Sequence, residues 1–195
     1  MKICLVRHGE TEWNSLGKLQ GRDDIPLSPK GIEQVSITAD YLKNFDWKVI
    51  ITSPLLRAKK TAEIIAEKIA EKTGGIRIRE EFDFIERDYG KASGMTPDER
   101  KLHFPDGNWA GAEPAVAVQL RTVNAFQKYI NEYDGYDIII VSHGAAINSI
   151  LAYISNNETG SGKTVMQNGC MTLLEKTGSK IEIKYYNKVP GELQA

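Results

Sequence analysis

The stretch that decides the fold is CLVRHGETEWN, Cys4–Asn14. Its apolar run, Ile3–Val6, reads as a short buried strand, and it stops on Arg7, His8 and Gly9. A cation and an imidazole at the end of a buried strand have two readings: a polar stop, or a side chain that the strand exists to aim. A second apolar run, Asp137–Val141, ends the same way, in Ser142, His143 and Gly144. The chain has three histidines, His8, His103 and His143, and two of them occupy these matching strand ends. A third strand, Val49–Thr52, leads into a helix whose first turn carries Arg57. In an open parallel sheet, ligands bind outside the carboxyl ends of the strands. If these strands are parallel neighbours, two imidazoles and two guanidiniums meet there.

The segments between the strands have helical periodicity. Ser28-Pro29 opens a helix, with Ser28 as N-cap and Pro29 at the first helical position; Ile32, Val35, Ala39 and Leu42 form its apolar stripe. Ser53-Pro54 opens the next, with Leu55, Ala58, Ala62, Ile65 and Ile69 inward and Gly74-Gly75 ending it. Ile76–Arg79 is a short strand. Val116, Leu120, Val123, Phe126 and Ile130 mark a further helix, and Ala145–Ile154 an apolar one. Cys170–Glu175 and Ile181–Tyr186 form a closing hairpin around Gly178-Ser179. This alternation predicts an α/β fold with a largely parallel sheet. From Glu81 to about Glu113 the pattern gives way to turns, a short helix capped at Thr96-Pro97, and HFPDGN from His103. Irregular segments of that length are often lids or binding loops.

Composition narrows the function classes. A chain of 195 residues suits one domain, and a formal net charge of -1 argues against a broad nucleic-acid footprint. No apolar run approaches a membrane span, and Ile3–Val6 is too short for a signal-peptide core. The two cysteines, Cys4 and Cys170, sit in apolar runs and read as buried, reduced thiols, which predicts a cytoplasmic protein. No Cys/His spacing of a zinc site occurs, so no metal is expected. GSGKT, Gly160–Thr164, resembles the end of a phosphate-binding P-loop, but the full pattern needs Gly at 157, where Asn157 stands. It reads as a connector.

Two arginines and two imidazoles suit a phosphoryl group, whose oxygens match guanidinium forks. A neutral histidine attacks phosphorus through one ring nitrogen when an acceptor holds the other nitrogen's proton. Neighbouring arginines favour that neutral form. Arg57 in a helix's first turn opposes the helix dipole by a few tenths to ~1 kcal/mol, a conflict that a bound anion removes. Gly9 and Gly144 let a ligand come close to the backbone. The leaving alkoxide needs a proton, for which a carboxylic acid is the natural source. Glu86, in DFIERDYG, is the candidate; Glu10, Glu12, Asp23 and Asp88 compete on spacing alone.

LVRHGETEWN resembles the signature of the histidine phosphatase superfamily, which includes the cofactor-dependent phosphoglycerate mutases. GRDDIPLSPKGIEQ from Gly21, TSPLLRAKKTAE from Thr52, ERDYGKASGM from Glu86 and VSHGAA from Val141 follow in the family's order, over nearly the whole chain. The resemblance implies a three-layer α/β/α sandwich with a mostly parallel mixed sheet. It also implies a single domain, 1–195, with a small cap insertion at about 82–113. It assigns His8 as the nucleophile that becomes phosphohistidine, Arg7, Arg57 and His143 as ligands of the phosphoryl oxygens, and Glu86 as the proton donor. Asn14 matches a phosphate-contacting position, and Gln20, Gly21 and Arg22 lie in a loop that borders the site. Gly144 joins the expected binding set.

The implied enzyme is a metal-independent phosphomonoesterase of the histidine acid phosphatase type. It would act on small phosphorylated metabolites, release inorganic phosphate and use no cofactor. The alternative is a mutase dependent on 2,3-bisphosphoglycerate. Mutases typically carry Asn after the second His-Gly pair, where this chain has Ala145, and they have a longer, more basic cap. A non-catalytic phospho-ligand-binding member would have lost His8, an arginine or Glu86, and all are present. Phe82, Phe84, Tyr89, Phe104 and Trp109 either line a substrate pocket or form the cap's own core.

Overall fold

The strands expected at Ile3, Val49 and Asp137 do lie side by side. In a computed structural model that describes residues 1–193, six strands form one sheet. They are β1 (Lys2–Arg7), β2 (Val49–Thr52), β3 (Arg77–Glu80), β4 (Ile138–Ser142), β5 (Met171–Thr177) and β6 (Lys180–Lys188). Their order is β3-β2-β4-β1-β5-β6. The pairs β3/β2, β2/β4 and β4/β1 are parallel, and the β5–β6 hairpin extends the sheet in antiparallel fashion. Register aligns Arg7 with Ser142 and Thr52 with Val141, so β1, β2 and β4 end level with one another.

Alternation along β1 sends Ile3 and Leu5 to one face and Cys4 and Val6 to the other. Both faces are covered, which is why the run is continuously apolar. Helices α2 (Pro29–Leu42) and α3 (Leu56–Thr73) pack with Cys4 and Val6. Two others, α5 (Ala115–Glu132) and α6 (Gly144–Ile154), pack with Ile3 and Leu5. The result is the three-layer sandwich. Between them come the single turn α1 (Glu12–Ser15) and α4 (Pro97–His103), which lies in the irregular stretch joining β3 to α5. Cys4 and Cys170 are both buried and free, and burial pushes the Cys170 thiol up to about 11.

Three expectations need correction. Ser28 caps α2 as anticipated, accepting from the Gly31 amide at 3.0 Å, but Ser53 does not cap α3. That helix starts at Leu56, its N-cap Leu55 makes no side-chain capping bond, and Asp24 from a distant loop accepts the Leu56 amide at 2.6 Å. The apolar stripes are also misassigned in part: Ile32, Val116 and Leu120 are exposed. In α5 the expected Val123, Phe126 and Ile130 are buried, and Val118, Thr122, Ala125 and Tyr129 complete the inward face. Finally, Gly9 is not there for a ligand. A Cβ at this position would lie 2.5 Å from the Gly31 carbonyl oxygen and 2.7 Å from Val35, so glycine is what lets the chain after β1 cross the start of α2. Gly144 does keep the open character expected of it.

Candidate active site

The site grows from the level ends of β1, β2 and β4. His8 is 2 % exposed; its backbone amide donates to the Ser142 carbonyl at 3.1 Å, and its Nδ1 donates to the Gly9 carbonyl at 2.7 Å. The second bond fixes the tautomer, leaving the Nε2 lone pair free. His143 stands beside it, with 5.1 Å between ring centroids. Its Nε2 meets the Ser53 hydroxyl at 2.8 Å, and its Nδ1 is buried with no partner. Ser53 Oγ already accepts the Leu55 amide at 3.3 Å. Ser53 is fully buried and its hydroxyl proton has no other acceptor among the described residues, so it donates to Nε2 and His143 keeps its own proton on Nδ1.

The arginines show the same economy. Arg57 is 1 % exposed, and its Nη1 and Nη2 donate to the carbonyls of Asp23 and Gly21, each at 2.8 Å. Arg7 Nη1 donates to the Met166 carbonyl. In both guanidiniums Nε is buried and has no protein acceptor. Burial lowers the pKa of both, that of Arg57 to about 10, and a guanidinium keeps its proton in proteins. Burial also depresses both histidines well below the usual imidazole value, with the Arg57 charge next in effect on each and Arg7 adding to it. Two positive guanidiniums thus face two neutral imidazoles.

Of the five carboxylates that compete on spacing, only Glu86 lines the recess around His8. Glu10 pairs with Lys30, Asp88 pairs with Arg22, and Asp23 accepts from the Ser93 hydroxyl. The Glu86 carboxylate accepts from the Arg87 amide at 2.9 Å and from the Ala145 amide, in the first turn of α6, at 3.1 and 3.2 Å. A Cβ at Gly144 would sit 3.8 Å from both Arg7 Nε and Glu86 Oε2, so the cation and the acid flank the same small residue.

The recess has a volume of about 90 Å³ and is also lined by Asn14, Gln20 and Gly21. Asn14 Oδ1 is occupied by Thr11 and Asn168, which leaves Nδ2 for a ligand. Gln20 is buried, and its Oε1 has no partner. Arg22 stands apart. It is absent from the recess wall and pairs with Asp88 and Glu113, at 3.9 and 3.3 Å.

This constellation has known counterparts. The family model described as "Histidine phosphatase superfamily (branch 1)" matches residues 3–189. The chain belongs to the histidine phosphatase superfamily. Among its relatives, the uncharacterized phosphatase PhoE of Bacillus subtilis is 42% identical over 95% of this chain and 93% of its own. The probable phosphoglycerate mutase GpmB of Salmonella typhi is 32% identical over 79% of this chain and 74% of its own. A phosphoserine phosphatase from Entamoeba histolytica, solved in complex with phosphoserine, superposes with a TM-score of 0.82 at 28% identity, covering 98% of this chain and 99% of that one.

In this histidine phosphatase the recess opens onto a larger cleft of about 590 Å³, with Arg7, Leu19, Glu86 and Tyr89 shared between the two. Several lining residues escaped the sequence reading. Lys18 and Leu19 border the recess, beside Tyr89, one of the aromatics expected either there or in the cap's core. Arg87, Arg100 and Asn148 line the cleft, as does the segment from Ser161 to Met166. The GSGKT motif is therefore a cleft wall and not a mere connector. Gly160 sits at φ +98°, and a Cβ there would be 2.3 Å from the Asn148 carbonyl oxygen, so glycine lets the loop lie against α6. Asn148 Nδ2 then holds the Thr164 carbonyl at 2.9 Å.

The expected cap aromatics divide. Phe84 belongs to the main core, Phe82 is exposed, and Tyr89 packs edge-on against Trp109 with centroids 5.6 Å apart. A concavity of about 660 Å³ near the end of α6 and β6 is larger than the cleft, but its lining contains neither histidine nor arginine. The chemistry of the lining, not its volume, identifies the site.

Proposed function

We propose that the protein is a phosphomonoesterase that passes the phosphoryl group of a small metabolite first to His8 and then to water. One observation carries this reading. Arg7 Nε, Arg57 Nε and His143 Nδ1 are buried donors without protein acceptors, gathered around a histidine whose other nitrogen is committed. Buried donors are rarely left unsatisfied, and three of them match the oxygens of a phosphoryl group. The phosphatase relatives support the same reading.

In the first step His8 Nε2 attacks phosphorus while the P–O bond to the leaving group breaks. The three donors hold the non-bridging oxygens in surroundings where charge is poorly screened. The Asn14 amide, Gln20 and the Gly21 and Gly144 backbones shape the recess. Protonated Glu86 gives its proton to the departing oxygen. In the second step the Glu86 carboxylate takes a proton from water, which displaces the phosphoryl group from His8. Inorganic phosphate leaves and the starting protonation is restored.

Each charge role has a side chain in this scheme, so it calls on neither metal nor cofactor. That makes the enzyme a phosphomonoesterase of the metal-independent, histidine acid phosphatase type. The buried thiols of Cys4 and Cys170 suit a cytoplasmic setting, and among the described residues no helix is long and apolar enough to cross a membrane. The formal net charge of -1 argues against a broad nucleic-acid footprint.

The test is phosphate release from p-nitrophenyl phosphate. Activity should persist in EDTA and be inhibited by vanadate, which mimics the five-coordinate transition state. It should fall by about 10³-fold or more in His8→Ala, as expected when a covalent nucleophile is removed. Turnover retained in that variant rejects His8 as the nucleophile. The GpmB relative favours one second reading, a mutase using 2,3-bisphosphoglycerate.

A further inference from the structure

Glu86 lies on an irregular segment, between the single 3-10 turn Phe82–Phe84 and the next turn at Gly90–Ala92. No helix or strand sets its place. What does so is Arg121, which projects from α5 with a side chain 14% exposed. All five of its N–H groups are taken. Nη1 donates to the carbonyls of Asp83 and Ile85 at 2.7 and 2.8 Å. Nη2 donates to the Glu86 carbonyl at 3.1 Å and to Glu113 Oε2 at 3.0 Å, and Nε donates to Glu113 Oε1 at 2.8 Å. A guanidinium has five donors, so none remains for a substrate.

Glu113 holds the other side of the same segment. Its backbone amide donates to the Asp88 carbonyl at 2.8 Å, and its Oε2 accepts the Asp88 amide at 3.3 Å. Its carbonyl accepts Arg87 Nε at 2.8 Å. The chain on both sides of Glu86 is thereby bonded to one ion pair. That pair is partly buried, in surroundings where hydrogen bonds to charged groups are strong and losing one partner is costly.

We infer that the Arg121–Glu113 pair is a positioning device for the proton donor: it fixes the backbone from Asp83 to Asp88 so that the Glu86 carboxyl reaches the leaving oxygen. This rests on the reading of Glu86 as the acid. A pair with a merely structural role predicts a loss indifferent to the leaving group. A positioning role predicts a loss concentrated on substrates that need the proton, since small misplacements of reacting groups are costly.

The experiment compares kcat/KM for glycerol 3-phosphate, a poor leaving group, with that for p-nitrophenyl phosphate, a good one. The ratio kcat/KM reports the steps through transfer to His8, before water enters. Glu86→Gln should lower the alkyl ester about 100-fold or more, the usual scale for general acid catalysis, and the aryl ester several-fold at most. Arg121→Met should lower the alkyl ester roughly 10- to 100-fold with a small aryl effect, and Arg121→Lys should fall between it and the wild type. In the double variant Glu86→Gln/Arg121→Met, the leaving-group preference should equal that of Glu86→Gln alone. If Arg121→Met does not fold, as judged by circular dichroism, Arg121→Lys and Glu113→Gln carry the same comparison. Equal loss on both esters in the Arg121 and Glu113 variants, or a preference that adds to that of Glu86→Gln, overturns the positioning role and leaves Glu86 as the acid. Equal loss on both esters in Glu86→Gln itself removes the acid, and the positioning role with it.

Discussion

At the scale of single residues, the site is a set of buried groups whose charge states are chosen by burial. His8 and His143 are both depressed, first by desolvation and then by the Arg57 charge. Neutral imidazole is the form that the proposed attack by His8 needs and the form in which the His143 tautomer is defined. The depression also has a consequence for stability. In the unfolded chain each imidazole takes a proton near pH 6.5, while in the folded protein it stays neutral to lower pH. The unfolded state therefore binds more protons below pH ~6.5. The stabilisation is fully present above that value and is lost as the pH falls below it towards the folded values. One such group changes stability by about 1.4 kcal/mol per pH unit, and two by about 2.7. Urea denaturation in phosphate-free buffer between pH 6.5 and 5 should show a slope that steepens from about half of this value towards the whole of it, and His143→Gln should remove about half of the effect. A wild-type slope near zero in that range contradicts the neutral pair. Ser53 offers a separate check at this scale, because its hydroxyl sets the proton on His143. Ser53→Ala should lower kcat/KM roughly 10-fold or more, the scale of one charge-stabilising donor, while costing no more than about 1 kcal/mol in stability, because Asp24 caps α3 independently. A large stability loss with unchanged kcat/KM contradicts that assignment.

At the scale of elements, Ser28-Pro29 and Ser53-Pro54 show where local reading works and where it stops. Both pairs carry the same helix-start signal. Ser28 obeys it, but Ser53 gives its hydroxyl to a histidine 90 positions away in the chain, and α3 begins later. The β-strands were legible because strands buried on both faces need continuous apolar runs, as in Ile138–Val141. The outward turn of Val116 and Leu120 was not, because α5 carries apolar residues on more than one face and only packing against the sheet selects one. The same holds for the site. His8, His143 and Arg57 stand at strand and helix ends that sequence can locate, whereas Arg121 and the loop after Gly160 act through contacts with distant segments. That loop yields its own prediction. Met166, at its end, holds Arg7 Nη1 through its carbonyl. A Cβ at Gly160 would meet α6 backbone at 2.3 and 2.6 Å, where φ is also +98°. Gly160→Ala should destabilise by about 1–3 kcal/mol, the usual size of a clash or backbone-strain effect. It should also lower kcat/KM by loosening Arg7. Unchanged urea midpoints show that the loop is not anchored there.

At the scale of the whole molecule, the proposed reaction leaves the fold one decision once His8 carries the phosphoryl group: whether water or a second hydroxyl receives it. A mutase must keep its dephosphorylated product in the cleft, let it turn, and exclude water meanwhile. The sheet and α6 form a rigid floor, but one wall is the segment from Ser161 to Val165, and Val165 is 93% exposed. The cleft position after Gly144 is Ala145, whose methyl offers no hydrogen bond with which to hold a turning glycerate. Arg87 and Arg100 can hold an acidic leaving group on arrival, but nothing in that wall seals the recess against solvent. Hydrolysis should therefore outrun return of the phosphoryl group. With 3-phosphoglycerate followed by phosphorus NMR in water enriched in oxygen-18, inorganic phosphate carrying one heavy oxygen should accumulate alongside glycerate. The rate should not rise when 2,3-bisphosphoglycerate is added. Rapid formation of 2-phosphoglycerate that depends on the bisphosphate, with little free phosphate, instead assigns the chain to the mutases, because it shows that the open wall closes during the phosphohistidine's lifetime.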